Sequence, residues 1–407
     1  MSPQVLQNRQ FLVILTIVFL GFLGISIPYL IFPALFLNVD YLIVPVAWGQ
    51  TARSVFLGIT LAAYPMGQFI GSPILGSLAD DYGRKGLLSA SLVIAAICNL
   101  LTGFAITWQN LALLILSRFL AGVMEGNIAI ARAMATDLTT ISRHKTFGRI
   151  NAAASIAFLI GPLLGGMMTD KNLHPGFTLS TPFYAICTLF FFLAALAAII
   201  LENSKKSRAQ KQSFLKRINI YQRLLNLFDN KRLKFLLITS TCFTLAVDIF
   251  YEFGPVYLTL KWSLGPPQLI FYNAILCFAL AVGNGWLPDF LSQKISNRVA
   301  ISYATLLFPM LIFAMLFVNS PAVMMLLFGL SGLLIGVVVT LLTVKISNAV
   351  SDEAQGEVMG VQIALRVLGD AMICLLGGLL LLFSIKLVLT MSIVIALLCF
   401  SYYQKNR

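Results

Sequence analysis

The sequence has little charge and lacks the residue patterns of enzyme, nucleotide and metal sites. Only 11% of its 407 residues are Asp, Glu, Lys or Arg, whereas soluble domains carry about 25%. Two histidines and the lack of a Gly-rich phosphate loop leave no predicted catalytic, cofactor or metal site, and they disfavour an ATP-driven pump on this chain. Six cysteines lie singly in apolar stretches, as buried thiols do. A soluble enzyme is therefore excluded, and the energy for any transport is expected from a gradient or a partner.

Long apolar runs take the place of the missing charges. Hydrophobic residues make up 59% of the chain, and a membrane-spanning helix needs about 20 of them in succession. Turn residues and charges delimit twelve predicted spans, at about residues 11–37, 54–75, 87–106, 110–136, 147–169, 182–201, 234–257, 267–287, 299–318, 321–344, 357–382 and 386–403. The predicted fold is an all-α integral membrane protein of two pseudo-symmetric six-helix bundles, residues 1–201 and 234–407, joined by a basic cytoplasmic linker at 202–233.

Positive charge is distributed unevenly between the predicted loops. Most of the 28 lysines and arginines lie in the termini and the even-numbered loops, so the positive-inside rule predicts that both termini are cytoplasmic. We expect a multi-pass protein of the inner (plasma) membrane. The basic linker predicts contact with anionic lipid rather than with nucleic acid.

The two halves share short patterns at equivalent positions. Residues that recur 209 or 212 positions later include Gly76 and Gly285, Asp80 and Asp289, Gly148 and Gly360, and Gly165 and Gly377. A six-plus-six layout with such matches favours duplication, and internal repeats around a site near the membrane midplane are the common plan of secondary transporters.

The loop after the second predicted span carries the most specific motif. It resembles the signature G-x-L-a-D-r-x-G-r-k of the major facilitator superfamily at its defining residues Gly76, Asp80, Gly83, Arg84 and Lys85. Asp81 stands where a basic residue is usual. The resemblance implies a gate in which Asp80 meets the N-terminal end of the eleventh helix, where a carboxylate is stabilised by the helix dipole. Arg84 would then face Asp137.

Three charged residues follow one another on the fourth span. Arg118 and Gly122 resemble the family pattern R-x-x-q-G, and Arg118, Glu125 and Arg132 repeat at intervals of seven, which places them on one helix face. Glu125 is predicted near the middle of the membrane, where a charge normally faces the bundle interior or a water-filled cavity. A structural ion pair of Glu125 with a neighbouring arginine is the competing interpretation.

The fifth span resembles the antiporter motif g-x8-G-x3-G-P-x2-G-G of proton-antiport exporters in this superfamily. The residues at its defining positions are Gly148, Ala157, Gly161, Pro162, Gly165 and Gly166, of which only Ala157 departs from the pattern. Small residues let helices approach closely, so the motif is interpreted as an interface between halves that rock against each other.

Four further charges lie in the second half. Asp248 and Glu252 are four residues apart on the seventh span, and Arg366 and Asp370 are four apart on the eleventh. Side chains at this spacing meet on a helix, so Asp370 is predicted to pair with Arg366, which leaves Asp248 as the preferred proton carrier of this half. Glu252 is expected close to the outer end of its span.

These patterns predict a transporter rather than an enzyme. We expect proton-coupled export of a small molecule, such as a drug-like compound or a siderophore, by alternating access. The competing functions are a proton-coupled uptake symporter for a nutrient or metal chelate and a non-transporting sensor of the same fold. The expected partners are the substrate, protons and the lipid bilayer, with no nucleic acid, and the protein is expected to act as a monomer.

Overall fold

The described part of the chain consists of α-helices joined by short connections. The computed structural model describes residues 3–38, 41, 43–136, 138, 143–202, 230–349 and 355–405. The helices are α1 (Pro3–Ser26), α2 (Pro28–Leu37), α3 (Gly49–Tyr82), α4 (Arg84–Thr107), α5 (Leu111–Met124), α6 (Gly126–Thr136), α7 (Arg143–Met167), α8 (Thr181–Ile200), α9 (Lys231–Trp262), α10 (Pro266–Gly285), α11 (Leu287–Ser292), α12 (Asn297–Met315), α13 (Pro321–Ser347), α14 (Gln355–Leu380) and α15 (Ile385–Lys405).

Most of these helices are long and apolar enough to cross a membrane. Eleven stretches of the described residues meet that condition, and Ala152–Met167 is a shorter apolar helix at the place of the predicted fifth span. The prediction of an all-α membrane protein is confirmed, and the twelve predicted spans are compatible with these helices.

Two spans that were predicted as continuous helices are interrupted. The first span breaks at Ile27, because Pro28 has no N–H to continue the helical ladder and starts α2. The fourth span breaks at Glu125: its N–H donates to the Gly122 carbonyl at 3.0 Å, and the Ile128 N–H donates to the Glu125 carbonyl at 3.0 Å. Both bonds join residues three apart, which is a tighter turn than the α-helix.

The described helices separate into two compact units. One unit combines the chain up to Ala47 with the helical residues from Ile59 to the end of α8. The other combines Trp48–Gly58 with α9 to α15. In the first unit α1 packs on α7 and α4 packs on α8 and α5; in the second α10 packs on α13 and α9 on α15. The predicted limits of the linker stay a prediction, because residues 203–229 lie outside the described residues.

Glycines allow one pair of helices in each unit to cross in backbone contact. A Cβ atom on Gly122 of α5 would meet the Tyr64 carbonyl oxygen of α3, and one on Gly332 of α13 would meet the Leu276 carbonyl oxygen of α10. Gly122 recurs after 210 residues as Gly332, and Gly126 likewise recurs as Gly336. The same crossing is therefore built twice, which supports duplication of the two halves.

The glycines of the antiporter-like motif pack against the break in the first span. A Cβ atom on Gly161 would overlap the Ser26 hydroxyl oxygen, and one on Gly165 would lie 3.2 Å from the Ile27 carbonyl oxygen. The Ser26 hydroxyl also lies 3.5 Å from the Ala157 carbonyl oxygen. These contacts lie within the first unit, and the predicted role of the motif at an interface between halves stays a prediction.

Bulk at Gly161 is expected to block transport. Gly161→Leu must displace the first span at its break, and overpacking of this kind costs about 1–3 kcal/mol, so we expect transport to fall while membrane expression persists. Gly161→Ala should show a milder defect that Ser26→Gly partly relieves. Drug uptake into vesicles from cells that produce each variant measures the effect.

The control for bulk is Gly86→Leu, since a Cβ atom at Gly86 has open space around it. Normal transport by Gly161→Leu would show that α7 tolerates separation from the first span.

Candidate functional site

The first unit buries a carboxylate and a guanidinium on one side of the fourth span. Glu125 is 6% exposed and Arg118 is 3% exposed. Arg118 belongs to α5, whereas Glu125 lies between α5 and α6, where the helical hydrogen bonding is interrupted. Broken helices inside the membrane are tolerated where they are buried in protein or line a cavity, and transporters use them for binding.

Tyr64 on α3 is the hydrogen-bond partner of Glu125. Its hydroxyl donates to Glu125 Oε2 at 2.5 Å, and Glu125 Oε1 is buried without a hydrogen-bond partner. Among the described residues Glu125 forms no ion pair within 4 Å, so the competing interpretation of a Glu125–arginine pair is not observed. The carboxylate keeps one oxygen for a proton or a ligand.

The sequence interpretation missed Tyr64, although a signal was present. Gly67 and Gly71 on the second span, and Gly122 and Gly126 on the fourth, are each four residues apart, which is the small-residue spacing of closely packed membrane helices. Pairing these two motifs would have placed the helical turn of Tyr64 against the fourth span.

Aromatic rings cover the guanidinium of Arg118. Its central carbon lies 4.5 Å from the centre of the Tyr64 ring and 5.7 Å from the centre of the Phe32 ring, distances at which a cation is attracted to a ring face. Its Nε atom is buried without a hydrogen-bond partner. Tyr64 therefore touches both charges: its ring faces Arg118 and its hydroxyl binds Glu125.

Arg132, the third predicted charge of this face, lies apart from the other two. Its guanidinium carbon is 5.7 Å from the centre of the Phe22 ring on α1, and its Nε atom is buried without a hydrogen-bond partner. The structure thus brings Arg118 and Glu125 together around Tyr64, while Arg132 contacts the first span.

Removing the Tyr64 hydroxyl should slow the proton-driven transport that the sequence predicts. Tyr64→Phe keeps a ring over Arg118 but deletes the donor to Glu125, and hydrogen bonds to charged groups contribute about 1.5–3 kcal/mol. We expect about a tenfold or larger fall in the initial rate of drug transport under a pH gradient, with unchanged expression.

Tyr184→Phe is the matched control, because it removes a hydroxyl of the same unit that bonds Thr107 at 3.0 Å. Equal rates for both variants would exclude a special role of the Tyr64 hydroxyl.

A second polar cluster lies between α9 and α14 in the other unit. Arg366 binds Asp248 with both arms of its guanidinium, through Nε at 2.9 Å and Nη2 at 2.7 Å. The sequence predicted Asp370 as the partner of Arg366, whereas both of these bonds go to Asp248; Asp370 Oδ1 is buried without a hydrogen-bond partner. The planar guanidinium fork favours a two-point contact across the helices over its neighbour one turn away.

Glu252, which was expected close to the outer end of its span, is buried. It is 5% exposed, because the seventh span continues within α9 to Trp262. A carboxylate oxygen of Glu252, one of Asp370 and the Cys374 sulfur lie within 4.8 Å of one another. Three such atoms could share a cation, and two carboxylates this close could equally share a proton. The predicted lack of a metal site stays a prediction.

The polar site of the first unit has no copy in the second. At the spacing of 210 residues that relates Gly122 to Gly332, Arg118 corresponds to Phe328 and Glu125 to Ile335. Both are buried apolar side chains. Duplication therefore kept the helix crossing in both units, and the charged groups at that crossing belong to the first unit alone.

The loop with the predicted gate is partly described. Gly83 adopts φ 101° at the start of α4, a conformation that favours glycine, and Arg84 and Lys85 are the first residues of α4. Asp80 belongs to the last turns of α3, and Asp137 lies outside the described residues. The gate therefore stays a prediction.

Comparison with known proteins gives consistent matches. The sequence model of the Major Facilitator Superfamily matches residues 14–373. The chain is 32% identical over 189 residues to the tetracycline resistance protein, class H, of Pasteurella multocida, covering 46% of this chain and 44% of that protein. It is 30% identical over 222 residues to multidrug resistance protein 2 of Bacillus subtilis strain 168, covering 54% and 50%. The chain spans about half the length of the curated relatives it matches.

Similarity to solved structures extends over the whole chain. The structure of the human organic anion transporter MFSD10 (TETRAN) matches with a TM-score of 0.66 at 19% identity, covering 99% of this chain and 100% of that chain. At this identity the match supports a common fold.

Proposed function

The chain belongs to the major facilitator superfamily, and from this premise we propose that it exports a small, drug-like molecule or metabolite in exchange for protons. The family consists of transporters rather than enzymes, and the chain is a multi-pass membrane protein. We further propose that it resides in the inner (plasma) membrane with both termini in the cytoplasm, because the positive charges lie mainly in the loops on that side.

The observation that carries the proposal is the buried carboxylate of Glu125 at the break of the fourth span. A charge in this position is costly, and Tyr64 satisfies only one of its oxygens. The carboxylate is neutralised either by a proton or by a positively charged or hydrogen-bond-donating group of the substrate. Proton and substrate then compete for one site, which is the requirement for exchange.

Alternating access converts this competition into export. Protonation of Glu125 from the outside displaces the substrate, and loss of the proton to the cytoplasm restores the site for the next molecule. Tyr64 donates to Glu125 Oε2 and holds the carboxylate in place when the proton leaves.

Asp370 is the preferred second carrier of protons, which reverses the ranking from the sequence. Asp248 is already neutralised by Arg366 at 2.7 Å, whereas Asp370 has a buried oxygen without a hydrogen-bond partner. Both oxygens of Asp248 already accept hydrogen bonds from Arg366, whereas Asp370 keeps one oxygen for a proton. We therefore rank Glu125 as the first candidate for the coupling carboxylate and Asp370 as the second.

The relatives support export as the direction. The proteins from Pasteurella multocida and Bacillus subtilis are named for resistance to tetracycline and to multiple drugs, and resistance is consistent with removal of a drug from the cell. The antiporter-like motif on the fifth span supports the same direction.

The proposal is tested with purified protein in liposomes whose lumen is made acidic. Under antiport, protons leaving the lumen drive tetracycline or ethidium inward, whatever the orientation of the protein. Accumulation of either drug that a proton ionophore abolishes is the expected result. Drug loss from preloaded liposomes along with the protons would indicate symport, and no movement would favour a sensor; both would overturn the proposal.

A further inference from the structure

Two buried groups of opposite charge in the first unit each keep an unsatisfied atom. Arg118 is 3% exposed and Glu125 is 6% exposed, yet Arg118 Nε and Glu125 Oε1 have no hydrogen-bond partner. A buried polar atom without a partner costs about 1–3 kcal/mol, and more when the group is charged. Such a cost is expected where a ligand completes the site.

The two atoms are unsatisfied because the groups do not pair with each other. Among the described residues neither Arg118 nor Glu125 forms an ion pair within 4 Å. Seven residues separate them along the span, which is about 10 Å of helix. Tyr64 contacts both groups, with its hydroxyl on Glu125 and its ring 4.5 Å from the Arg118 guanidinium carbon.

The surroundings of Arg118 define which part of a ligand it can bind. Phe32 and Tyr64 lie at 5.7 and 4.5 Å from its guanidinium carbon, so aromatic rings surround the planar group while its Nε–H remains unused. A guanidinium edge is suited to a carboxylate or another planar anion. The rings add an aromatic surface for the body of the ligand.

We propose that the transported molecule is amphoteric, with an anionic group that binds Arg118 and a cationic or hydrogen-bond-donating group that binds Glu125. An aromatic or apolar body spans the distance between them beside Tyr64 and Phe32. This inference rests on the proposed function and names the class of its substrate.

The charge balance of exchange favours such a molecule over one with a single charge. An anion bound to Arg118 alone would attract a proton to nearby Glu125, so the anion and proton would move together rather than in opposite directions. A cation bound to Glu125 alone would leave buried Arg118 unsatisfied. An amphoteric molecule satisfies both groups, and its positive end competes with the proton.

Equilibrium binding without any gradient tests this inference separately from transport. The probe is 6-(aminomethyl)-2-naphthoate, with two derivatives: its methyl ester, which lacks the anion, and its N-acetyl form, which lacks the cation. The purified protein is held in nanodiscs of phosphatidylcholine, and naphthalene fluorescence reports binding. We expect the amphoteric probe to bind about tenfold more tightly than either derivative.

Two variants assign the ends of the probe. Arg118→Gln should weaken binding of the amphoteric probe about tenfold and leave binding of the methyl ester unchanged. Glu125→Gln should weaken the amphoteric probe and leave the N-acetyl form unchanged. Arg149→Gln is the matched control, because it removes an exposed guanidinium of the same unit that lies 5.9 Å from the centre of the Phe11 ring; it should change none of the three affinities. Arg118→Lys, which keeps the charge, should retain part of the preference if Arg118→Gln fails to fold.

Equal affinity of the wild type for all three probes, or no binding of the amphoteric probe, would overturn the inference. Displacement of the probe by phosphatidylglycerol in the nanodisc would assign Arg118 to a lipid headgroup and overturn it as well. Selective binding without movement under a pH gradient would instead refute the proposed exchange while leaving the assignment of the two ends intact.

Discussion

Glu125→Gln is expected to abolish proton-driven transport while the protein remains folded. The amide has the same shape and can still accept a hydrogen bond from Tyr64, which donates to Glu125 at 2.5 Å, but it cannot release or take up a proton. Drug accumulation in acid-loaded liposomes should fall to the level of protein-free liposomes. Exchange of labelled for unlabelled drug at equal pH should persist in part, because that reaction needs no proton.

The matched control is Glu202→Gln, which makes the same chemical change at an exposed residue after α8. It should transport normally. Accumulation by Glu125→Gln near the wild-type rate would remove Glu125 from the coupling step and leave Asp370 as the next carboxylate to test.

Arg366→Gln is expected to reduce both stability and transport. It leaves Asp248, which has a side chain 6% exposed, without the cation that binds it at 2.7 Å. Breaking a buried pair costs about 3–5 kcal/mol, and the cost here is smaller because the Arg366 side chain is 48% exposed. Thermal unfolding of the purified protein, followed with a thiol-reactive dye that reads its buried cysteines, measures the effect.

The double variant Asp248→Asn/Arg366→Gln separates structure from coupling. Because both charges are removed together, the double variant should lose less unfolding free energy than the two single variants lose in sum, by about 0.5 kcal/mol or more. Recovered transport along with recovered stability would show that the pair is structural. A stable but inactive double variant would give Asp248 a role in transport. Lys386→Gln, which removes an exposed positive charge, controls for net charge.

The helices were predictable because the membrane imposes them. A span of apolar residues must satisfy its backbone hydrogen bonds internally, so hydropathy and turn residues locate the spans. The helix ends were predicted less closely, since α1 begins at Pro3 rather than residue 11 and α3 ends at Tyr82 rather than residue 75. The breaks at Ile27 and Glu125 were less accessible. A proline such as Pro28 often kinks a membrane helix without ending it. Glu125 contacts α3 through Tyr64, and a contact between distant residues is not visible in the local sequence.

The charged residues of the site were predictable, but their partners were not. Arg118 and Glu125 stood out because charge is rare inside apolar spans. Tyr64 is 61 residues from Glu125 and 54 from Arg118, and the glycine spacing of the second and fourth spans indicates only that its helical turn packs against theirs. Arg366 shows the same limit, because helical spacing suggested Asp370 while packing supplied Asp248 from another helix.

Exchange at Glu125 is tested by counting the protons that the protein releases when a drug binds. Purified protein in weakly buffered detergent solution is mixed with a drug that it transports. The pH is one at which Glu125 is partly protonated, and a pH-sensitive dye records the change in pH. We expect the wild type to release protons, Glu125→Gln to release fewer, and Glu202→Gln to release as many as the wild type. Undiminished release by Glu125→Gln, or uptake of protons by the wild type, would contradict exchange at Glu125.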